Sequence, residues 1–149
     1  MRFTRRQALA AFTGVAAGQT LESPALLQQE PRRYLQPGAV LRLPPGRFGP
    51  LALEGRGEPS RPIRIEALDP NDPPVFHGLL YLSRCAWLTF DGLVFEDADV
   101  HSINADDGGE PGSAAGLVFR NLSFRRCGAD PLKLAGVDDF TIEACRFEQ

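Results

Sequence analysis

Three segments of this sequence align without gaps and share one spacing of apolar residues. LTFDGLVFE begins at Leu88, LVFRNLSFR at Leu117 and FTIEACRFE at Phe140. In each segment the apolar residues are separated by steps of two, three and two positions. A step of two is typical of a strand with one buried face, because successive side chains point to opposite faces. The central step of three therefore indicates a corner between two short strands that face one interior.

The residue at this corner must accept a left-handed backbone conformation. Gly92 and Asn121 occupy the corner in the first two segments, and both residue types tolerate a positive φ. Ala144 occupies it in the third segment and fits less well. An Asn at the corner can also form a hydrogen bond along the stack of coils.

The spacing of the segments predicts a solenoid. They begin 29 and 23 residues apart, and a shortened copy, IRIEAL, begins at Ile63, 25 residues before Leu88. These are lengths of one turn of a repeat protein. The extra length of the 29-residue turn falls in the polar segment DADVHSINADDGGEPGSAA, which we interpret as a protruding loop.

A further short strand lies eight residues before the start of two of the segments. It is LYL at 80–82 and LKL at 132–134. If the leucines point inward, Tyr81 and Lys133 point outward on one strand face. Upstream, alternating apolar residues at 40–43 and 51–53 predict the first turn of an all-β parallel β-helix of about four turns.

The N-terminus has the layout of an export signal. MRFTRRQALAAFTGVAAGQT combines a basic start, a short apolar middle and small residues before a cleavage point. The pair Arg5 and Arg6 resembles a twin-arginine signal, which engages the export machinery for folded proteins and predicts a periplasmic or secreted protein. The alternative is an amphipathic helix of the domain itself. We expect a signal peptide at 1–18, a tail or short helix at 19–33, and the β-helix at 34–149.

Composition excludes several classes of protein. No segment reaches the roughly 20 apolar residues of a membrane-spanning helix. Three of the 16 basic residues lie in the first 18 positions, which leaves 13 against 19 acidic residues in the rest, a net charge of −6. An acidic body argues against a nucleic-acid partner. Three cysteines without short paired spacing predict neither a zinc site nor a disulfide framework.

Residues 36–149 resemble a known family. The segments LQPGAVLRLPPGRFGP, VFHG, WLTFDGLVFEDA and DDFTIEACRFE are similar to the N-terminal coils of right-handed parallel β-helix proteins, nearest to the chondroitinase B and alginate lyase group of polysaccharide lyases. The resemblance is specific for the fold, because the same coils precede lyases, epimerases, hydrolases and solenoids without assigned activity. It implies a right-handed coil and a polysaccharide partner.

The resemblance also implies a chemistry. Members of that group are calcium-assisted lyases that cleave uronic-acid polymers by β-elimination, with a Lys base and an Arg beside Asn and Glu ligands. Removing the proton next to a carboxylate requires a base and a cation that neutralises the carboxylate. Lys133, the only lysine, is the candidate catalytic residue; its alternative is a solvated side chain beside Asp130 or Asp138. No cofactor is evident in the residues themselves, and the implied calcium ligands are expected in later coils.

The polar segment after residue 98 supplies weaker candidates. Asp106, Asp107 and Glu110 carry the oxygen ligands that calcium prefers, without the regular spacing of a calcium loop. His101 in this segment, together with Tyr81 on the strand predicted at 80–82, is a candidate for a substrate-binding surface. The alternative is a solvated loop that forms a flexible wall of a groove.

The sequence stops one strand past a corner, without a capping segment. A solenoid needs caps at its ends, so we expect a fragment whose catalytic coils are missing and which is inactive alone. Two functions remain open. One is a truncated polysaccharide lyase acting on uronic-acid polymers, and the other is a non-enzymatic extracellular solenoid that binds glycans or a cell surface.

Overall fold

The computed structural model describes residues 18–149, which form three parallel sheets and two short helices. Sheet A contains β1 (Gln19–Thr20), β2 (Val40–Leu43), β5 (Ile63–Ala67), β8 (Leu88–Asp91), β11 (Ala114–Arg120) and β14 (Val137–Glu143). Sheet B contains β3 (Arg47–Phe48), β6 (Val75–His77), β9 (Val94–Glu96), β12 (Ser123–Arg125) and β15 (Arg146–Glu148). Sheet C contains β4 (Leu51–Leu53), β7 (Leu80–Ser83), β10 (Ile103–Asp106) and β13 (Leu132–Ala135). The helices are α1 (Ala25–Gln29) and α2 (Pro31–Tyr34).

From β2 onward the chain visits sheets A, B and C in turn and then returns to sheet A one coil further along. All paired strands among these fifteen run parallel. Parallel strands joined by crossovers take the right-handed sense. The predicted right-handed parallel β-helix is confirmed, with four complete coils from β2 to β13 followed by β14 and β15.

Stacked apolar residues fill the interior. On sheet B, five phenylalanines follow one another at ring-centroid distances of 5.0–5.9 Å. They are Phe48, Phe76, Phe95, Phe124 and Phe147. Their spacing is close to the roughly 4.8 Å between adjacent strands, so each coil places its ring against the ring of the coil before it.

The predicted corners are confirmed. Gly92, Asn121 and Ala144 have φ values of 78°, 54° and 54° and connect sheet A to sheet B in successive coils. The Asn121 side-chain amide donates a 2.9 Å hydrogen bond to the Asp91 carboxylate of the preceding coil. The corner therefore also links neighbouring coils.

The only tryptophan also joins two coils. Trp87 directly precedes β8, and Gly116 lies in the next strand of sheet A. A Cβ atom at Gly116 would collide with the indole ring, so the ring packs directly against the glycine. Gly116 also has a φ of 66°, which favours glycine at this position.

Residues 19–33 close the N-terminal end of the solenoid. β1 pairs with β2, and α1 packs against β4. Leu21 and Leu27 are 2% and 1% exposed. The helix considered for this segment is present, but it belongs to the core, so the expectation that the fold begins near Tyr34 was wrong. Arg5 and Arg6 of the predicted signal peptide lie outside the described residues, which begin at position 18.

The polar segment interpreted as one protruding loop is only partly a loop. Its residues Ile103–Asp106 form β10, which pairs with both β7 and β13. Ile103 and Ala105 point into the core and are buried. The residues on either side of this strand, including Asp99, Val100 and 108–112, are exposed, so β10 adds a strand to the wall of sheet C between two exposed turns.

The last strands contrast with the interior. Phe140, Ile142 and Phe147 are 51%, 43% and 51% exposed, although each continues a stack whose earlier members are buried. Phe119 and Phe124, one coil earlier, are fully buried. The apolar core is therefore exposed to solvent at this end of the structure.

Candidate functional site: the outer face of sheet C

A row of polar side chains crosses the outer face of sheet C. Tyr81, Asn104 and Lys133 occupy equivalent positions on β7, β10 and β13. The residues on either side of each point inward, so these three point outward. The prediction that Tyr81 and Lys133 share one outward face is correct. Asn104, which the interpretation of β10 as loop did not place on this face, lies between them.

Asp106 holds Tyr81 in place. The phenol hydroxyl lies 3.0 and 3.2 Å from the two carboxylate oxygens of Asp106, to which it donates its proton. The same carboxylate accepts a 2.9 Å hydrogen bond from the Gly108 backbone N–H. Since Tyr81 and Asp106 belong to successive coils, the aromatic ring lies across the sheet in a defined orientation.

Lys133 presents its ammonium group to solvent. Its side chain is exposed, and no Asp or Glu among residues 18–149 forms an ion pair with it, neither Asp130 nor Asp138. Its nearest equivalent in register is Asn104, an uncharged group. Lys133 is thus a positive charge that the described part of the protein does not neutralise.

Two clefts bound this face. The first, which we call the end cleft, has a volume of about 300 Å³ and lies between the helices and the first strands of sheet C. It is lined by Gln28, Pro31, Ala52, Glu54, Tyr81 and Ser83, among others. The second, the turn cleft, has a volume of about 600 Å³ and lies where the strands leave sheet C.

The turn cleft contains a network of charges. Arg84 forms an ion pair with Glu54 at 2.6 Å and a second with Glu110 at 3.5 Å. The hydrogen bond with Glu54 raises the pKa of Arg84 further above its already high value. Arg56 donates instead to the backbone carbonyls of Arg84 and Ser113. The positive charge of Arg84 is therefore neutralised by Glu54 and Glu110.

The loop candidates do not converge on one point. Asp107 accepts a 2.9 Å hydrogen bond from the Gly109 backbone N–H, while Glu110 faces Arg84. His101 lies before β10, with its Nδ1 2.9 Å from the Asp130 carbonyl oxygen. Together with Asp106, which is used by Tyr81, these side chains are tied to separate partners. Their roles in metal or substrate binding stay predictions.

Sequence reasoning missed a second cluster, on the outer face of sheet B. His77, Glu96 and Asp97 are the three potential metal-ligating side chains, among residues 18–149, whose ligand atoms lie within 4.8 Å of one another. The imidazole nitrogens lie 3.5 Å from Glu96 and 3.5 Å from Asp97. The residues come from neighbouring coils, so no short sequence motif identifies them.

Three arginines form ion pairs with the carboxylates of this cluster. Arg47, Arg125 and Arg126 lie 3.2, 3.5 and 3.4 Å from Glu96, whose side chain is 7% exposed. Arg126 also forms two hydrogen bonds with Asp97, at 2.7 and 3.1 Å. These bonds lower the pKa of Asp97 and raise that of Arg126. The arrangement is an ion-pair network, in which a bound cation would have to displace guanidinium groups.

The repeat alignment contained a signal for this network. Glu96 and Arg125 occupy equivalent positions after the paired phenylalanines of two successive segments. Opposite charges at one position of adjacent parallel strands lie side by side. His77 is in register with Glu96 in the other direction.

Cys85 lies in the core. It is fully buried, and its thiol donates a 3.4 Å hydrogen bond to the Leu53 carbonyl oxygen. Burial raises the pKa of its thiol to about 11. Since the thiolate is the reactive form, this cysteine is a core residue.

Comparison with known proteins supports the fold. No protein-family model matches the sequence, and no curated protein matches it. Among solved structures, a point mutant of AlyGC, a PL6-family alginate lyase, is similar, with a TM-score of 0.59 and 19% sequence identity. The match covers 73% of this chain and 15% of that chain, so this chain spans a small part of that lyase. At this identity the likeness establishes a shared β-helical fold.

The helices are too short to cross a bilayer. Neither α1 nor α2 is long and apolar enough to do so, and residues 18–149 contain no other helix.

Proposed function

We propose that this chain contributes coils to an exported carbohydrate-active protein that acts on a uronic-acid-containing polysaccharide. The polymer binds the outer face of sheet C. The observation that carries the proposal is the row formed by Tyr81, Asn104 and Lys133, in which an aromatic ring, an amide and an unneutralised cation stand on consecutive strands. The fold shared with an alginate lyase supports the same class of ligand.

The geometry of the row suits a linear polymer. Adjacent strands are about 4.8 Å apart, so the three side chains sample roughly 10 Å of surface along the solenoid. Asn104 offers both a donor and an acceptor for sugar hydroxyls, and Lys133 offers a charge for a carboxylate. Tyr81, held by Asp106, offers a fixed ring face.

The associated reaction is β-elimination. A base removes the proton from the carbon next to the uronate carboxylate, a double bond forms between that carbon and its neighbour, and the glycosidic C–O bond breaks. The departing oxygen keeps the electron pair and takes up a proton. Lys133 is the candidate base on this face, where it acts as the uncharged amine and not as the cation that holds the carboxylate. The reaction also needs a cation that neutralises the carboxylate. Of the two arginines at the turn cleft, Arg84 is already paired with Glu54, and Arg56 donates to the backbone carbonyls of Arg84 and Ser113.

That last observation favours a second candidate function. A non-enzymatic solenoid that binds glycans or a cell surface needs the row on sheet C and no second cation beside Lys133. Both functions predict binding of polyuronates, and only the first predicts chain cleavage.

Binding is tested with the full chain and soluble polyuronates such as alginate. Replacing Lys133→Met removes the free cation and keeps an unbranched side chain, so we expect the affinity to fall about tenfold or more, as for loss of a charged hydrogen bond. Arg61→Met is the matched control, because Arg61 is an exposed cation that pairs with Glu58 away from sheet C. Equal affinities of both variants and the original chain would refute the proposed surface.

Cleavage is followed by the ultraviolet absorbance of the unsaturated product. A rise that depends on Lys133 supports the lyase and contradicts the non-enzymatic solenoid, whereas binding without any rise identifies sheet C as a binding surface only. Export is tested separately by replacing Arg5→Lys and Arg6→Lys together, which we expect to retain the protein in the cytoplasm. Unchanged export would mean that the N-terminal segment acts as a general secretory signal and not as a twin-arginine signal.

A further inference from the structure

We propose that the end cleft binds the terminal pyranose residue of a polysaccharide chain. This inference rests on the proposed function, that sheet C carries the polysaccharide, and adds which part of the polymer lies at its first strand. The end cleft would then select chain ends over internal residues.

The helices obstruct the groove at this end. β4 is the edge strand of sheet C, and α1 packs against it. The Gln28 side-chain carbonyl accepts a 2.8 Å hydrogen bond from the Ala52 backbone N–H, which occupies a donor of the edge strand. A polymer that crosses the strands of sheet C from β13 toward β4 therefore meets α1 and Pro31 instead of open surface.

The floor of the cleft contains a fixed aromatic ring. Tyr81 is partly buried, and its hydroxyl is bound by Asp106 on the next coil. The ring therefore needs no ordering when a ligand arrives, which favours affinity. The apolar C–H face of a pyranose can pack on such a ring while its hydroxyl groups reach the rim.

The rim provides the hydrogen-bonding groups that a sugar requires. The bond to Ala52 uses only the oxygen of the Gln28 amide, and its two N–H donors are not used by that bond. Ser83 adds a hydroxyl, and Glu54 adds a carboxylate that accepts. Glu54 is the one charged side chain lining the cleft, and its ion pair with Arg84 offsets its charge, so the cleft contacts the terminal sugar through its hydroxyl groups. The sugar residues that follow along sheet C lie nearer to Lys133.

The volume agrees with a small ligand. About 300 Å³ is at the lower end of the range of ligand pockets, roughly 300–1,000 Å³. The cleft therefore accommodates the end of a chain and not a folded stretch of polymer.

The experiment compares polymeric alginate with alginate tetrasaccharides by calorimetric titration of the full chain. At equal mass the tetrasaccharide supplies many more chain ends. If the end cleft binds termini, half-saturation occurs at the same concentration of chain ends for both ligands. Half-saturation at the same concentration of uronate units would overturn the proposal.

Two variants on α1 locate the effect. Gln28→Glu keeps the oxygen that caps Ala52 and removes the N–H donors, and we expect tetrasaccharide affinity to fall about tenfold. Gln29→Glu adds the same charge one residue away and outside the cleft lining, so we expect less than a twofold change. If Gln28→Glu fails to fold, Ser83→Ala tests the opposite wall.

The outcomes separate this proposal from the proposed function. Binding that is lost in Lys133→Met but unchanged in Gln28→Glu and Ser83→Ala would overturn the end cleft and leave sheet C as the polysaccharide surface. Absence of any polyuronate binding by the unmodified chain would overturn both.

Discussion

The two ends of the solenoid differ in how well they cover the apolar core. At the N-terminal end, β1, α1 and α2 cover the first coil, and Leu27 is 1% exposed. At the other end of the structure, Phe147 continues the sheet B stack with its outer face uncovered and is 51% exposed. The difference shows that the β-strand repeat alone does not shield a solenoid core, because each coil depends on its neighbours and the ends need other cover.

The largest expected effect is on stability at the covered end. Leu27→Ala removes a fully buried side chain and leaves a cavity, so we expect the free energy of unfolding to fall by about 3 kcal/mol. Phe147→Ala removes a half-exposed ring, and we expect a loss of about 1 kcal/mol. Denaturant unfolding measures both. Equal losses would show that the two ends are covered to the same extent in solution.

Association through the uncovered end is the next test. Phe140, Ile142 and Phe147 form an apolar surface beside unpaired strand edges, which favours self-association. We expect the isolated chain to associate with increasing concentration in sedimentation experiments. Phe147→Lys should raise the concentration needed by roughly tenfold. A monomer at all concentrations for both chains would contradict this expectation.

A smaller effect is expected at the corners. Asn121→Ala loses the hydrogen bond to Asp91 and places alanine at a positive φ, so we expect a loss of about 1.5 kcal/mol. Ala144 already has this unfavourable conformation in the last coil. Ala144→Asn should therefore gain about 0.5 kcal/mol, measured by the same unfolding experiment. A loss on introducing Asn would mean that the last corner is not held as the earlier ones are.

The smallest effect concerns pH. The hydrogen bond from Arg126 lowers the pKa of Asp97 below its ordinary value of 3.8. The folded state then binds the Asp97 proton less readily than the unfolded state, so the pair stabilises the fold above about pH 4 and loses this contribution as the pH falls further. We expect Asp97→Asn to lower the melting temperature slightly at pH 7 and not at pH 2. Asp72→Asn, in an exposed turn, controls for the loss of one surface charge.

The sequence was sufficient for the repeating part of the fold. Steps of two, three and two set the strand pairs and the corners, because burial on one face leaves a strict pattern. β10 was missed, since its inward residues are only Ile103 and Ala105, in a segment rich in polar residues and glycine. The N-terminal cap was missed because its short helices hold only a few buried side chains, and their partners lie in a different element.

The candidate site was less predictable than the fold. Outward positions such as Tyr81 and Lys133 follow from the alternation of a strand, which does not report their partners. The Tyr81–Asp106 bond depends on β10, and the network around Glu96 depends on the register of three coils. Long-range register therefore decides which outward side chains meet.

The packing of Trp87 on Gly116 gives the protein one built-in optical probe. Because this is the only tryptophan, intrinsic fluorescence reports a single joint between two middle coils. Loosening of the last strands would leave the emission unchanged while the circular dichroism signal of the strands already declined. The two signals together can thus distinguish fraying from one end from cooperative loss of the whole solenoid.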